Sequence, residues 1–196
     1  MTARVLRYAE GSVEVPLLCR WLALLLLGVS PMPCMSAEPP SNRADLLKAA
    51  YLVNFARFID WPASTPADIL RVCFSGAPGV REALMAGLDR TRVGMRHLTV
   101  RALESGASAH GCDVLYADAA NMASPRVPSP SMEGAPSGML SIGEHADFVR
   151  HGGTIGLFTV DNHLRFSVNV ENARRAGLRV SAALLQLASS IETHAS

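Results

Sequence analysis

The sequence has little of the features that usually identify a class of protein. Its net charge is +1 over 196 residues, and no stretch concentrates lysine or arginine, so nucleic-acid binding is not expected. Aromatic residues make up only 6% of the chain, and there are four cysteines. The longest apolar run, WLALLLLGV at 21–29, is far shorter than the about 20 residues that a membrane-spanning helix needs. No segment repeats.

The apolar run at 21–29 is typical of a secretory signal peptide. Arg20 precedes it, and small residues ending in Ala37 follow it, as at a cleavage site. We therefore expect residues 1–37 to be removed on export and residues 38–196 to fold as one periplasmic domain. A retained membrane anchor is the alternative.

The cysteines raise two further questions. Cys34 would anchor a lipoprotein, but Met32 and Pro33 before it do not suit a lipidation signal. After cleavage only Cys73 and Cys112 remain, in a compartment where disulfides persist. They form either one disulfide or two separate buried thiols, because spacing alone does not decide connectivity.

The stretch Leu46–Pro62 is predicted to be an amphipathic helix around which the fold is organised. Ser41 or Asn42 would cap it, Asp45 would lie in its first turn, and Pro62 would end it. The apolar stripe would comprise Leu47, Tyr51, Phe55 and Phe58, flanked by Ala50, Asn54 and Ile59.

The rest of the chain predicts an α/β fold, a single compact domain with a mixed β-sheet of about six strands packed by helices on its faces. Strands are expected at 69–74, 98–103, 112–116 and 139–142, with a hairpin of 154–160 and 163–170 that turns at Asp161 and Asn162. In the second arm Leu164, Phe166, Val168 and Val170 would face the core and Arg165, Ser167 and Asn169 the solvent. Helices are expected at 80–88, 143–150 and 172–176, and after Ser181 with Leu184, Leu187 and Ile191 buried. The segment 124–138, rich in proline, serine and glycine, is predicted to be a loop.

Several short patterns suggest chemistry, each with a simpler interpretation. Ser141 lies in a sequence similar to a nucleophile elbow, but the glycine spacing is wrong by one. The turn 75–79 follows a strand and opens a helix, where free amides could receive an anion, yet it lacks the P-loop lysine. His110 and Cys112 are close enough to share a metal, but no second pair accompanies them. No catalytic triad can be assembled by spacing.

Two polar features remain open from the residues alone. Asn54, on the predicted apolar stripe, either satisfies a backbone group or lines a pocket. Arg174, Arg175 and Arg179 cluster before the last helix, either as a solvated face or as a site for a carboxylate or phosphate.

Taken together, the motifs resemble the YfiR family of periplasmic proteins. The resemblance runs from about Leu46 to Ile191. It is carried by AAYLVNFARFIDWP at 49–62, LRVCF at 70–74, GCDVLY at 111–116, LSIGE at 140–144 and RFSVNVENARRAGLRVSAALLQLA at 165–188.

The resemblance implies a non-enzymatic protein without a cofactor, in which Cys73 and Cys112 form a disulfide. It implies a repressor that binds the periplasmic sensor domain of an inner-membrane diguanylate cyclase until an outer-membrane lipoprotein draws it away. A site for a nucleotide-like or aromatic ligand would correspond to Arg175 and Arg179, approached by Trp61, and a homodimer is compatible with the family. A small-molecule binding module without a cyclase partner is the alternative function. Some members hold a second disulfide around the hairpin, whereas this sequence has no cysteine between Gly143 and Val170.

Overall fold

Residues 40–104, 107–121 and 138–194 are described by a computed structural model of the chain. The expected signal peptide and nearly all of the 124–138 loop lie outside the described residues, so both stay predictions. The described residues all belong to one compact unit of the chain.

An eight-stranded mixed β-sheet forms the centre of the α/β domain, in the order β10-β8-β7-β6-β5-β2-β4-β3. Its antiparallel pairs are β3–β4 and β7–β8, and its other neighbours run parallel. The strands are β2 (Ile69–Ser75), β3 (Arg92–Val93), β4 (Arg96–Leu103), β5 (Val114–Ala117), β6 (Leu140–Gly143), β7 (Ile155–Val160), β8 (His163–Asn169) and β10 (Ser190–Glu192). A separate two-stranded sheet pairs β1 (Ile59–Asp60) with β9 (Arg179–Val180).

The fold class is as predicted, and so are the parallel β2–β4 pair and the β7–β8 hairpin. Asp161 and Asn162 turn the hairpin with φ of 47° and 60°, which these residue types tolerate better than most. The strand count of about six is too low because β3 and β10, at the two sheet edges, have only two and three residues. Such strands are too short to show alternation.

The helices are α1 (Pro40–Arg57), α2 (Pro78–Ala86), α3 (Val170–Arg175) and α4 (Ala182–Leu187), with 3₁₀ helices at Leu88–Arg90 and Ala146–His151. Side chains of α1 and α2 share one apolar core with one face of the sheet. Within it, the Phe55 ring lies 4.9 Å from that of Phe166 on β8, measured between centroids.

The predicted bounds of α1 are wrong at both ends. The helix begins at Pro40, a residue type that suits the first turn, so Ser41 and Asn42 lie inside it and are not its cap. Asp45 therefore falls beyond the first turn. At the other end α1 stops at Arg57 because the next residues pair with β9.

The predicted buried stripe of α1 is also partly wrong. Leu47 and Phe58 are 47% and 37% exposed, and Asn54 points to solvent, where its Oδ1 accepts a hydrogen bond from Arg57. Neither interpretation of Asn54 holds. The buried residues of α1 are Ala49, Leu52, Val53, Phe55 and Ala56, and Ile59 is buried on β1. Small and aliphatic side chains let the helix approach the sheet closely, which a count of aromatic residues does not anticipate.

The last helix is shorter than predicted. Ser181 caps it as expected, its Oγ accepting a hydrogen bond from the Leu184 amide at 3.3 Å. Only Leu184 of the expected stripe is buried; Leu187 is 67% exposed, and Ile191 lies on β10, 46% exposed.

The second face of β8 is buried at Ser167 and Asn169 rather than wet, whereas Arg165 is exposed as predicted. The 3₁₀ helix Ala146–His151 covers it, and Ser167 Oγ donates to the Ala146 carbonyl. Asn169 donates to the carbonyls of Val149 and His194, both at 3.0 Å. Because each polar group has a partner inside the fold, alternating polarity along β8 does not reveal its burial.

Candidate functional site

The three residues expected to bind a ligand belong to elements that meet at one corner of the molecule. The β1–β9 pair places Asp60 opposite Arg179, and Trp61 follows directly. The Ser181 amide also donates to the Phe58 carbonyl at 3.0 Å, which holds the exit of α1 against the start of α4. Since α3, which carries Arg175, packs against β9, the structure brings Trp61, Arg175 and Arg179 to the same region.

Trp61 is held in place by the end of α1. Its indole Nε1 donates to the carbonyl of Ala56 at 3.1 Å, one of the helix carbonyls that α1 leaves without an intrahelical partner. The ring packs against the main core but stays partly exposed. A fixed, part-exposed indole can form one wall of a site for a planar ligand.

The arginines of the corner differ in how far they are neutralised. Arg174 donates two hydrogen bonds to the Glu171 carboxylate, at 2.9 and 2.7 Å. These bonds lower the pKa of Glu171 and raise the pKa of Arg174. Arg175 Nε lies 3.5 Å from the same carboxylate, whereas exposed Arg179 has no ion pair with any described residue. Arg179 is therefore the least neutralised of the three arginines, with Asp60 opposite it on β1.

The residue that leads into β6 also touches this corner. The Gly138 amide donates to the Ala176 carbonyl at 2.5 Å. A Cβ on Gly138 would lie 3.2 Å from Pro62 Cγ, and its φ of 83° disfavours other residues. The corner is thus built from three separate parts of the chain.

The other candidate sites fail on geometry. Ser141 is fully buried in β6, with its Oγ bonded to the Thr154 amide at 3.0 Å and to Thr154 Oγ1 at 3.2 Å. A nucleophile must be accessible, so Ser141 is not one. His110 and Cys112 do not share a metal because Cys112 is in a disulfide. Across the described ranges, no group of three His, Cys, Asp or Glu residues is arranged to hold a metal ion.

The turn after β2 is occupied by the protein's own carboxylate. The Ala77 amide donates to Asp118 Oδ2 at 2.9 Å, and Asn121 donates to Asp118 Oδ1 from both its amide and its side chain. Burial raises the pKa of Asp118, but these hydrogen bonds outweigh it, and the net pKa is lowered. An external anion would have to displace this carboxylate.

Cys73 and Cys112 form a disulfide, with their Cα atoms 5.8 Å apart. Cys73 lies in β2, and Cys112 precedes β5, the parallel neighbour of β2. The disulfide joins a second, smaller core on the sheet face opposite α1, with Ala109, Leu115 and Met139.

A network of two side-chain hydrogen bonds, which the sequence does not predict, joins α1 to the sheet. The fully buried Tyr116 donates to Glu144 Oε1 at 2.8 Å, and Lys48 donates to Glu144 Oε2 at 2.6 Å. Burial raises the pKa of Tyr116 far above its ordinary value, and the Glu144 charge adds to the rise. Lys48 and Glu144 are 96 residues apart, so no local pattern could have paired them.

Comparison with known proteins decides the family. The sequence model of the YfiR/HmsC-like family matches residues 45–189, most of the chain. The chain belongs to the YfiR/HmsC-like family. This family is regulatory and is associated with the control of cyclic-di-GMP signalling through a diguanylate cyclase. No curated protein sequence matches the chain.

A solved structure adds little to this YfiR/HmsC-like assignment. The crystal structure of a conserved domain protein from Vibrio cholerae O1 biovar El Tor is similar over 78% of this chain and 60% of that one. The identity is 12% and the TM-score 0.42, too low to carry an argument. Within the described part of this chain, no helix is long and apolar enough to cross a bilayer.

Proposed function

We propose that this protein is a periplasmic repressor that binds the sensor domain of an inner-membrane diguanylate cyclase. By holding that enzyme inactive, it lowers cyclic-di-GMP signalling and biofilm formation until an outer-membrane lipoprotein removes it. The observation that carries the proposal is the family match over residues 45–189. The Cys73–Cys112 disulfide supports it, because disulfides persist in oxidising compartments such as the periplasm.

The absence of an accessible nucleophile at Ser141 fits a binding protein better than a hydrolase. Control would then come from binding and release. The corner of Trp61, Arg175 and Arg179 supplies a place for a nucleotide-like or aromatic ligand, which would tune binding to the partner. The indole would stack on a planar ring, and the guanidinium groups would pair with an anionic group.

Affinity capture from envelope extracts tests the partner. The mature protein, with its disulfide intact, is immobilised, and the retained membrane proteins are identified by mass spectrometry. We expect enrichment of a membrane protein that carries a diguanylate cyclase domain, relative to an unrelated periplasmic bait. Capture without any such protein would count heavily against the repressor role.

The second candidate function is a periplasmic small-molecule binding module without a cyclase partner, favoured by the exposed Arg179, which lies opposite Asp60, the residue before Trp61. A thermal-shift screen with nucleotides and aromatic amino acids tests it, because a ligand above its dissociation constant raises the melting temperature. Arg179→Gln should reduce that rise, whereas Arg165→Gln, at another exposed strand arginine, should preserve it. An equal rise in both variants would remove Arg179 from the site.

A further inference from the structure

A cationic groove lies above the disulfide, on the sheet face opposite α1. Its volume is about 500 Å³, within the range of small-ligand pockets. Neighbouring residues of β2 and β4 form its floor: Arg71 lies opposite Thr99, and Cys73 opposite Arg101. His110 and Gly111, from the loop before β5, form one side.

Both arginines of the groove are held by that loop. Arg101 Nη2 donates to the His110 carbonyl at 3.2 Å and lies 3.3 Å from Cys112 Sγ and 3.7 Å from Cys73 Sγ. Arg71 Nη1 donates to the Gly111 carbonyl at 3.3 Å. The consecutive carbonyls of His110 and Gly111 therefore anchor both guanidinium groups at one side of the groove, while both side chains stay exposed.

These contacts orient the positive charges, and only Arg71 has a carboxylate nearby. Among the described residues Arg101 has no carboxylate partner; its acceptors are a carbonyl and the disulfide sulfurs. Arg71 has only a long contact, 3.9 Å, with Asp113, whose carboxylate already accepts the Arg71 amide at 2.7 Å. The chain as a whole carries a net charge of only +1, so this concentration of positive charge is local.

We propose that Arg71, Thr99 and Arg101 form a binding site for a small oxyanion, the phosphate or carboxylate group of a soluble ligand. Two guanidinium groups can share its oxygens, and the Thr99 hydroxyl can donate a third hydrogen bond. The site is separate from the corner of Trp61, Arg175 and Arg179 and does not depend on the proposed partner. Cys73, one half of the disulfide, is part of its floor, and the Arg101 guanidinium lies against both sulfurs.

The test uses inorganic phosphate and citrate as probes, each titrated into the full mature protein at constant ionic strength set with sodium chloride. Melting temperature and amide NMR shifts are measured. We expect the melting temperature to rise with at least one probe, with shifts at Thr99, Arg101 and Gly111. Phosphate and citrate responses distinguish the two sources of the oxyanion. A response to neither, beyond the chloride control, overturns the site.

Arg101→Gln removes the charge and shortens the side chain but keeps a polar hydrogen-bonding end. It should weaken binding about tenfold or more, since a charge-assisted hydrogen bond is lost. Arg101→Lys should lose less affinity for the oxyanion, because lysine keeps the charge but lacks the paired N–H donors of the guanidinium group. Arg165→Gln, at an exposed arginine outside both sites, should bind as the wild type does. Full binding in Arg101→Gln, or its loss in Arg165→Gln, would refute the assignment.

A free-thiol assay confirms that the disulfide persists in each variant. If Arg101→Gln does not fold, Arg71→Gln decides, because its β2 backbone hydrogen bonds are unchanged. Weaker oxyanion binding in that variant supports the site, and unchanged binding overturns it.

Discussion

Replacing Tyr116 by Phe should destabilise the domain and also change how its stability depends on alkaline pH. The Tyr116 hydroxyl is fully buried and donates to Glu144 Oε1, so Phe removes that hydrogen bond without changing the ring. Glu144 keeps its ion pair with Lys48 and is 16% exposed, so water can reach the freed oxygen. We expect a loss of about 1.5 kcal/mol in the free energy of unfolding at neutral pH, the lower end for a hydrogen bond to a charged group.

The alkaline effect has a definite sign. Burial, and then the Glu144 charge, raises the pKa of Tyr116 in the folded protein, whereas the unfolded residue ionises near its ordinary value of 10.0. Above that pH the unfolded chain loses a proton that the folded chain keeps. Stability therefore falls with rising pH, by up to about 1.4 kcal/mol per pH unit from this residue alone. Below pH ~10 Tyr116 does not make the free energy of unfolding depend on pH, because it is protonated in both states.

Urea unfolding followed by tryptophan fluorescence, from about pH 8 to about pH 11, measures both effects. Above pH ~10 the free energy of unfolding of Tyr116→Phe should fall less steeply with pH than that of the wild type. Tyr51→Phe, at a part-exposed tyrosine, is the matched control, and it should keep the steeper fall because Tyr116 is still present. Equal alkaline slopes for the wild type and Tyr116→Phe would refute the buried assignment.

Two further stability predictions follow from the same structure. Replacing Cys73 and Cys112 by Ser should lower the free energy of unfolding by about 4 kcal/mol in the chain-entropy model, measured in urea; equal stability with and without a reductant in the wild type would contradict a formed disulfide. Gly143→Ala should cost about 1 to 3 kcal/mol, because the new Cβ would lie 2.5 Å from the ring of Phe148. Gly87→Ala, with its nearest atom at 3.6 Å, should change stability by less than about 0.5 kcal/mol, and a similar loss in both variants would refute the packing argument.

The sequence predicts the features of the fold that depend on residues close together in the chain. The hairpin follows from Asp161 and Asn162, which accept the backbone angles of the turn. The Ser181 cap follows from a hydroxyl beside the free amides of a helix start. The short strand–helix–strand segment after Ile69 predicts a parallel pair, since antiparallel strands need only a short turn between them.

Features that depend on distant partners were missed. The end of α1 depends on pairing with Arg179–Val180, more than a hundred residues away. Burial of Asn169 depends on carbonyls of Val149 and His194 that satisfy its amide. In both cases the stabilisation comes from a contact with residues distant in the chain, and the neighbouring sequence does not reveal that contact.

The sequence also indicates some of the candidate binding residues and not others. The resemblance points to Trp61, Arg175 and Arg179, and the structure brings their elements together, but their role in binding stays a prediction. The sequence does not point to Arg101, because one arginine in an alternating strand suggests only a solvated face. Its position over the disulfide depends on the β2–β4 register, which spacing does not reveal.

The most direct test of the central claim is the cellular concentration of cyclic-di-GMP in the source bacterium with and without this protein. If the protein represses a diguanylate cyclase, deleting it should raise cyclic-di-GMP, and restoring the exported protein should bring the level down again. An unchanged or lower concentration after deletion would contradict the repressor function.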